Sequence, residues 1–88
     1  MAVYTKKIKP KFFEAILSGK KKYELRLNDF SIAEGDTLIL EEWDGNPRIF
    51  TGRVIEKRVT YVVNFKIDEL FWSEEEIKRN GLKIISFE

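Results

Sequence analysis

Apolar and polar positions alternate along most of this chain, and a helical period interrupts the alternation twice. Val3 to Lys9, with Tyr4, Thr5 and Ile8, predicts a first strand. Pro10 stops it and suits the first turn of a helix, and Phe12, Phe13, Ile16 and Leu17 follow at the spacing of one buried stripe, so two helical turns are predicted. Ser18-Gly19 closes that helix, with Gly19 fit for the left-handed conformation of a C-terminal cap. Lys20 to Leu27 alternates again, with Tyr23, Leu25 and Leu27 on one side and Lys22, Glu24 and Arg26 on the other, which predicts a second strand.

Asn28-Asp29 and Ala33-Glu34-Gly35-Asp36 carry turn chemistry, and Gly35 is able to take positive φ. Thr37 to Trp43 is the clearest strand. A turn over Asp44-Gly45-Asn46-Pro47 and renewed strand character from Ile49 make a hairpin with it. Arg53 to Asn64 is rich in β-branched and aromatic residues and reads as one long strand or two with a bend. Lys57 shares the parity of Ile55, Val59, Tyr61 and Val63, which predicts a bulge or a strand that leaves one sheet for another. Ser73 with Glu76 three residues on is a capping box opening a short helix that ends at Asn80-Gly81, and Leu82 to Phe87 predicts a last strand.

The order is therefore β, α, then mostly β: a mainly β, α+β chain. A sheet this short must hide its edges, and closing into a small barrel with a helix packed beside one opening does so. Eighty-eight residues suffice for one core, so residues 1–88 are expected to form a single domain. Cysteine and histidine are both absent, which excludes disulfides, thiolate nucleophiles, Ser-His-Asp triads and metal sites built on sulfur and imidazole. No metal and no cofactor is expected. No apolar run approaches the ~20 residues of a membrane span and the N-terminus lacks a signal-peptide stretch, so the expected compartment is cytoplasmic, with a monomer as the default state.

The net charge of +1 hides an asymmetry. Residues 1–26 hold eight lysines and arginines against two glutamates, a net +6, and residues 27–88 hold eight against thirteen acids, a net −5. A basic end of this kind is either a footprint for phosphates or a solvated face that keeps the protein soluble. Within it, Gly19-Lys20-Lys21-Lys22-Tyr23-Glu24-Leu25-Arg26 reads G-x-K-x-x-E-x-R. On a strand, Lys22, Glu24 and Arg26 share a face with neighbours about 6 to 7 Å apart, so Glu24 can bridge to either cation and hold Arg26 as a planar fork. Lys21 has the other parity, but the chain is still turning out of the helix there, which lets its side chain join the same cleft. The bland reading of such a face is a solvated sheet surface with ion pairs contributing ~0 to 1 kcal/mol each. Trp43, at a strand end beside a glycine turn, either stacks on a base or caps the core.

This motif, placed after a short helix, resembles the signature of the ASCH superfamily, whose members are similar to PUA domains. The run from Ile8 to Trp43, with Phe13, Asn28-Asp29, Gly35-Asp36, Leu38-Ile39-Leu40 and Glu42-Trp43, resembles a short bacterial and phage branch of it. The resemblance implies a PUA-like β-barrel, a cleft between helix and barrel lined by Gly19, Lys21, Glu24 and Arg26, and RNA as ligand. Two departures limit it. Members resembling amidohydrolases for acylated cytidine pair their lysine with a threonine three positions on, where this chain has Glu24. Sequences of the short branch tend to begin with a histidine before the first strand, where this chain has Val3-Tyr4-Thr5.

The expected function is an RNA- or nucleotide-binding module using a basic cleft of Gly19, Lys20, Lys21, Lys22, Glu24 and Arg26, with Trp43 as a stacking candidate. No helix is long and basic enough to fill a DNA major groove, which favours single-stranded or looped RNA. The alternative is a small enzyme acting on RNA or a modified nucleoside, with Lys21 and Glu24 as its catalytic groups.

Overall fold

The structure is a computed structural model that describes residues 1–45 and 50–88. Strand β1 (Val3–Ile8) is followed by helix α1 (Pro10–Leu17), then β2 (Thr37–Trp43) and β3 (Phe50–Arg58). A 3₁₀ turn (Ile67–Glu69) and helix α2 (Glu74–Asn80) complete the regular structure. The three strands form one sheet in the order β1-β2-β3. β1 runs parallel to β2, with Val3 opposite Thr37 and Ile8 opposite Glu42. β3 runs antiparallel to β2, with Thr37 opposite Arg58 and Leu40 opposite Ile55.

Helix α1 forms where Pro10 occupies the first turn, a position whose N–H would have no helical partner in any case. It ends at Gly19, whose φ of +83° is open to glycine at little cost; Gly19 donates to the Ile16 carbonyl, and Lys21 donates to that of Ala15. The helix lays Phe13 and Ile16 on one face of the sheet, against Ile8, Leu40 and Ile55, with Leu38 beside them. Leu40 is 1% exposed and Phe13 2%. Of the predicted stripe only this i, i+3 pair is buried. Phe12 and Leu17 lie outside it and face solvent.

At the far end of β2 the chain is clasped by Asp36. Its carboxylate accepts from the amides of Ala2 and Ala33, each at 2.9 Å, and these bonds hold it below the ordinary aspartate range. Gly35, at φ +91°, makes the preceding turn and donates to the Val59 carbonyl, and Val59 returns a bond to the Asp36 carbonyl. The clasp thus ties the start of β1 and the end of β3 to the entry of β2.

Several expectations are corrected. The sheet is open, and no barrel closes among the described residues: residues 20–27, 59–66 and 81–88 carry no strand ladder. Alternation in those segments is present, but a strand needs a neighbour's N–H and C=O groups, which local pattern does not supply. Tyr23, Leu25 and Leu27, which share one side of the predicted strand, are all exposed. Lys57 makes no bulge and pairs with Leu38; the register shift falls between Glu41 and Trp43. Asn46, Pro47 and Ile49 of the predicted hairpin lie outside the described residues. The capping box is as expected, with Ser73 Oγ accepting from the Glu76 amide at 3.1 Å and the Ser73 amide donating to Glu76 Oε1 at 3.2 Å.

A core of five buried residues leaves little redundancy. Leu40→Ala is expected to lower the free energy of unfolding by about 2 to 5 kcal/mol, and Leu27→Ala, at an exposed position, by under about 0.5 kcal/mol, read from urea denaturation curves.

Candidate functional site

Residues 20–27 leave the helix cap as extended chain and pass along the outer edge of β1. There the three charged groups of the motif meet. Lys21 Nζ lies 2.6 Å from Glu24 Oε1, and Arg26 Nε lies 2.7 Å from Glu24 Oε2. Arg26 Nη2 also donates to the Lys7 carbonyl at 2.6 Å, which fastens the segment to the edge strand. Glu24 and Lys21 side chains are each only 12% exposed, and that of Arg26 29%. The Lys21 ammonium is flanked by the rings of Phe12, at 5.2 Å, and Tyr23, at 5.0 Å. Lys21 joins the cluster because the helix cap reverses the chain at its amide, as its bond to Ala15 records.

The cluster separates two open recesses; it does not line one cleft. On the α1 side, Lys11, Phe12, Lys20, Lys21 and Tyr23 border one recess, with Ile84 and Ser86 of the C-terminal segment against them. On the opposite sheet face, Thr5, Lys6, Lys7, Arg26, Glu41 and Phe50 border the other. Of the residues expected together, Lys21, Glu24 and Arg26 converge; Gly19 shapes the cap; Lys20 and Lys22 are exposed beside it, without a bond to the cluster. Trp43 lies apart on β2, half-buried, with the Lys7 ammonium 4.5 Å from its ring centroid.

A second charged centre escaped the sequence reading. Glu42, 4% exposed on the helix-facing side of β2, accepts from Thr51 Oγ1 at 2.6 Å and from Arg53 Nε and Nη2 at 2.9 and 2.8 Å. Arg53 also pairs with Glu14 of α1, and its guanidinium lies 4.5 Å from the Phe13 ring centroid. Helix and sheet are thus joined by one arginine held between two carboxylates. The guanidinium and the Thr51 hydroxyl hold the Glu42 carboxyl down at about 2, and the two carboxylates push Arg53 further up. The available signal was that Glu42 shares the parity of Leu38 and Leu40, which puts a carboxylate on an apolar face and demands a cation.

Among the described residues no group of three or more acidic side chains is arranged to hold a metal ion, and no helix is long and apolar enough to cross a membrane.

Fold and site together define a small α+β domain, sheet-rich, with a carboxylate-centred cationic cluster on the edge of an open sheet. The chain belongs to the family described as a domain of unknown function, DUF3850, whose model matches residues 3–71. Over 62 residues it is 42% identical to an uncharacterized 12.9 kDa protein in the GpA 3′ region of Escherichia phage P2. That match covers 70% of this chain and 55% of the relative, so the chain spans little more than half of the phage protein's length.

Because Glu42 titrates below its ordinary value of 4.5, its contribution to stability is complete above about pH 4.5 and is lost as the pH falls toward about 2. The urea midpoint is expected to stay level from pH 7 to about 5 and then fall. Glu42→Gln is expected to lower the midpoint at pH 7 and to flatten the acid limb; an acid limb of wild-type steepness in that variant would assign the limb to other carboxyls.

Proposed function

We propose that this chain is a cytoplasmic binding module for RNA or a nucleotide, and that the cluster of Lys21, Glu24 and Arg26 is the centre of its binding surface. The reading rests on one observation: Glu24 gathers two cations of the G-x-K-x-x-E-x-R motif into a half-buried group inside the part of the chain that carries a net +6. A carboxylate that fixes a guanidinium by Nε and Nη2 prepares its remaining N–H groups for a planar acceptor such as a phosphate or a base edge. Arg26 Nη1 makes no bond among the described residues. Exposed Lys20 and Lys22 add diffuse positive charge beside it. The resemblance of the motif to the ASCH superfamily, for which RNA binding is the common proposal, supports the same reading.

Binding is favoured over catalysis. Lys21 and Glu24, which a catalytic reading takes as base or nucleophile and as general acid or base, are tied to each other at 2.6 Å, and Glu24 also to Arg26, an arrangement suited to fixing cations for an anionic ligand.

Fluorescence anisotropy with a labelled single-stranded RNA oligomer tests the proposal. The log of the association constant is expected to fall linearly with log salt, by roughly 0.7 for each phosphate neutralised. Arg26→Ala is expected to weaken binding about tenfold or more, and Lys22→Ala, at an exposed position, to weaken it slightly and reduce the slope by under one unit. Unchanged affinity in an Arg26→Ala protein that melts like the wild type removes the assignment.

A further inference from the structure

Among the described residues, Glu41 is the one carboxylate of the central strand without a partner. Its neighbour Glu42 is saturated by Thr51 and Arg53, whereas Glu41, half-buried, makes no hydrogen bond or ion pair among the described residues. Lys7 lies directly opposite it in the β1–β2 register, but the Lys7 ammonium sits over the Trp43 ring instead. A half-buried carboxylate left open beside available cations is poised to accept from a donor that the protein does not itself provide.

The surroundings of Glu41 describe that donor. The recess it shares with Thr5, Lys6, Lys7, Arg26 and Phe50 has a volume of about 360 Å³, at the low end of the ~300 to 1,000 Å³ usual for small-molecule sites, and so takes one nucleotide unit. Lys7 and Arg26 supply charge for a phosphate, while the Lys6 ammonium lies over the Phe30 ring at 3.9 Å. The Phe50 ring, 46% exposed, offers a face for a base. Glu41 then selects among bases. Guanine carries two adjacent donors, N1–H and N2–H, on its Watson–Crick edge and matches both carboxylate oxygens. Uracil presents N3–H between two carbonyl oxygens, which the carboxylate repels. Adenine and cytosine each place a single amino group beside an acceptor nitrogen.

We propose that this recess is a nucleotide subsite that selects guanine through Glu41, with the base stacked on Phe50 and its phosphate held by Arg26 and Lys7. The inference rests on the RNA- or nucleotide-binding reading above and adds to it a base specificity and a second sheet face.

The test compares hexauridylate with the same hexamer carrying one guanosine, and with one carrying inosine, which lacks the N2 amino group. Wild-type protein is expected to bind the guanosine hexamer about five- to a hundredfold more tightly than hexauridylate, with the inosine hexamer between them. Glu41→Gln, a near-isosteric change on a half-buried site, is expected to remove the guanosine preference while hexauridylate still binds. Phe50→Ala, at an exposed position, is expected to weaken all three. RNA binding without base preference, or a preference that persists in Glu41→Gln, overturns the subsite and leaves the Arg26 reading standing. Absence of binding to every hexamer overturns both.

Discussion

Because β1 and β2 lie side by side in the same direction, the chain leaving Ile8 has to travel back along the sheet before Thr37 can begin. Parallel neighbours cannot be joined by a tight turn, and residues 9–36 make the return here. Helix α1 takes the first part of that path and covers the apolar face with Phe13 and Ile16. The positive φ at Gly19 then redirects the chain, and residues 20–36 run over the exposed edge of β1 until Asp36 closes the loop on the Ala2 and Ala33 amides. An edge strand presents unpaired backbone groups, and Arg26 satisfies one of them, the Lys7 carbonyl. The position of the charged motif is therefore a consequence of strand direction: the crossover that parallel pairing requires is the segment that carries it.

Carboxylates organise the rest. Asp36 is bonded by two amides, Glu42 by a hydroxyl and a guanidinium, and Glu24 by an ammonium and a guanidinium. The three differ in what they hold together. Asp36 binds backbone to backbone and fixes a turn. Glu42 binds β3 to β2 and, through Arg53, to α1, so its partners span three elements. Glu24 binds residues two and three positions away and holds a segment in shape at the rim of the sheet. A half-buried ion pair there is less screened than one in open solvent, yet each member still reaches water, which lets the cluster be rigid and accessible at once.

Elements determined by their own residues were legible in the sequence. Pro10 and Gly19 bound α1, Ser73 and Glu76 open α2, and β2 carries enough consecutive strand formers to be read alone. Strand segments that need a distant partner were not. Tyr61 and Val63 keep a period of two and are exposed, because alternation states which side of a strand is apolar and not which edge it joins. The convergence of Lys21, Glu24 and Arg26 was anticipated, although through a strand face that does not form. Extended chain leaving a helix cap brings 21, 24 and 26 together as effectively as a pleat would bring 22, 24 and 26. Arg53 and Glu14 were missed because they are far apart in sequence and meet only once α1 lies on the sheet.

The same charges constrain what the surface binds. Lys6, Lys7 and Arg26 border the recess on the far sheet face, but Glu41 lies among them and Glu24 lies against Arg26. A bare anion entering that recess meets Lys7 and Arg26 together with two carboxylates, so Coulomb attraction alone gives it little net advantage in an open, hydrated site. A ligand carrying both a phosphate and a hydrogen-bond donor escapes the conflict, since its anionic end is drawn to Arg26 and Lys7 while its donor end meets Glu41. Under the proposed nucleotide reading, electrostatic balance favours a nucleotide over an isolated phosphate, and the two carboxylates become elements of selectivity.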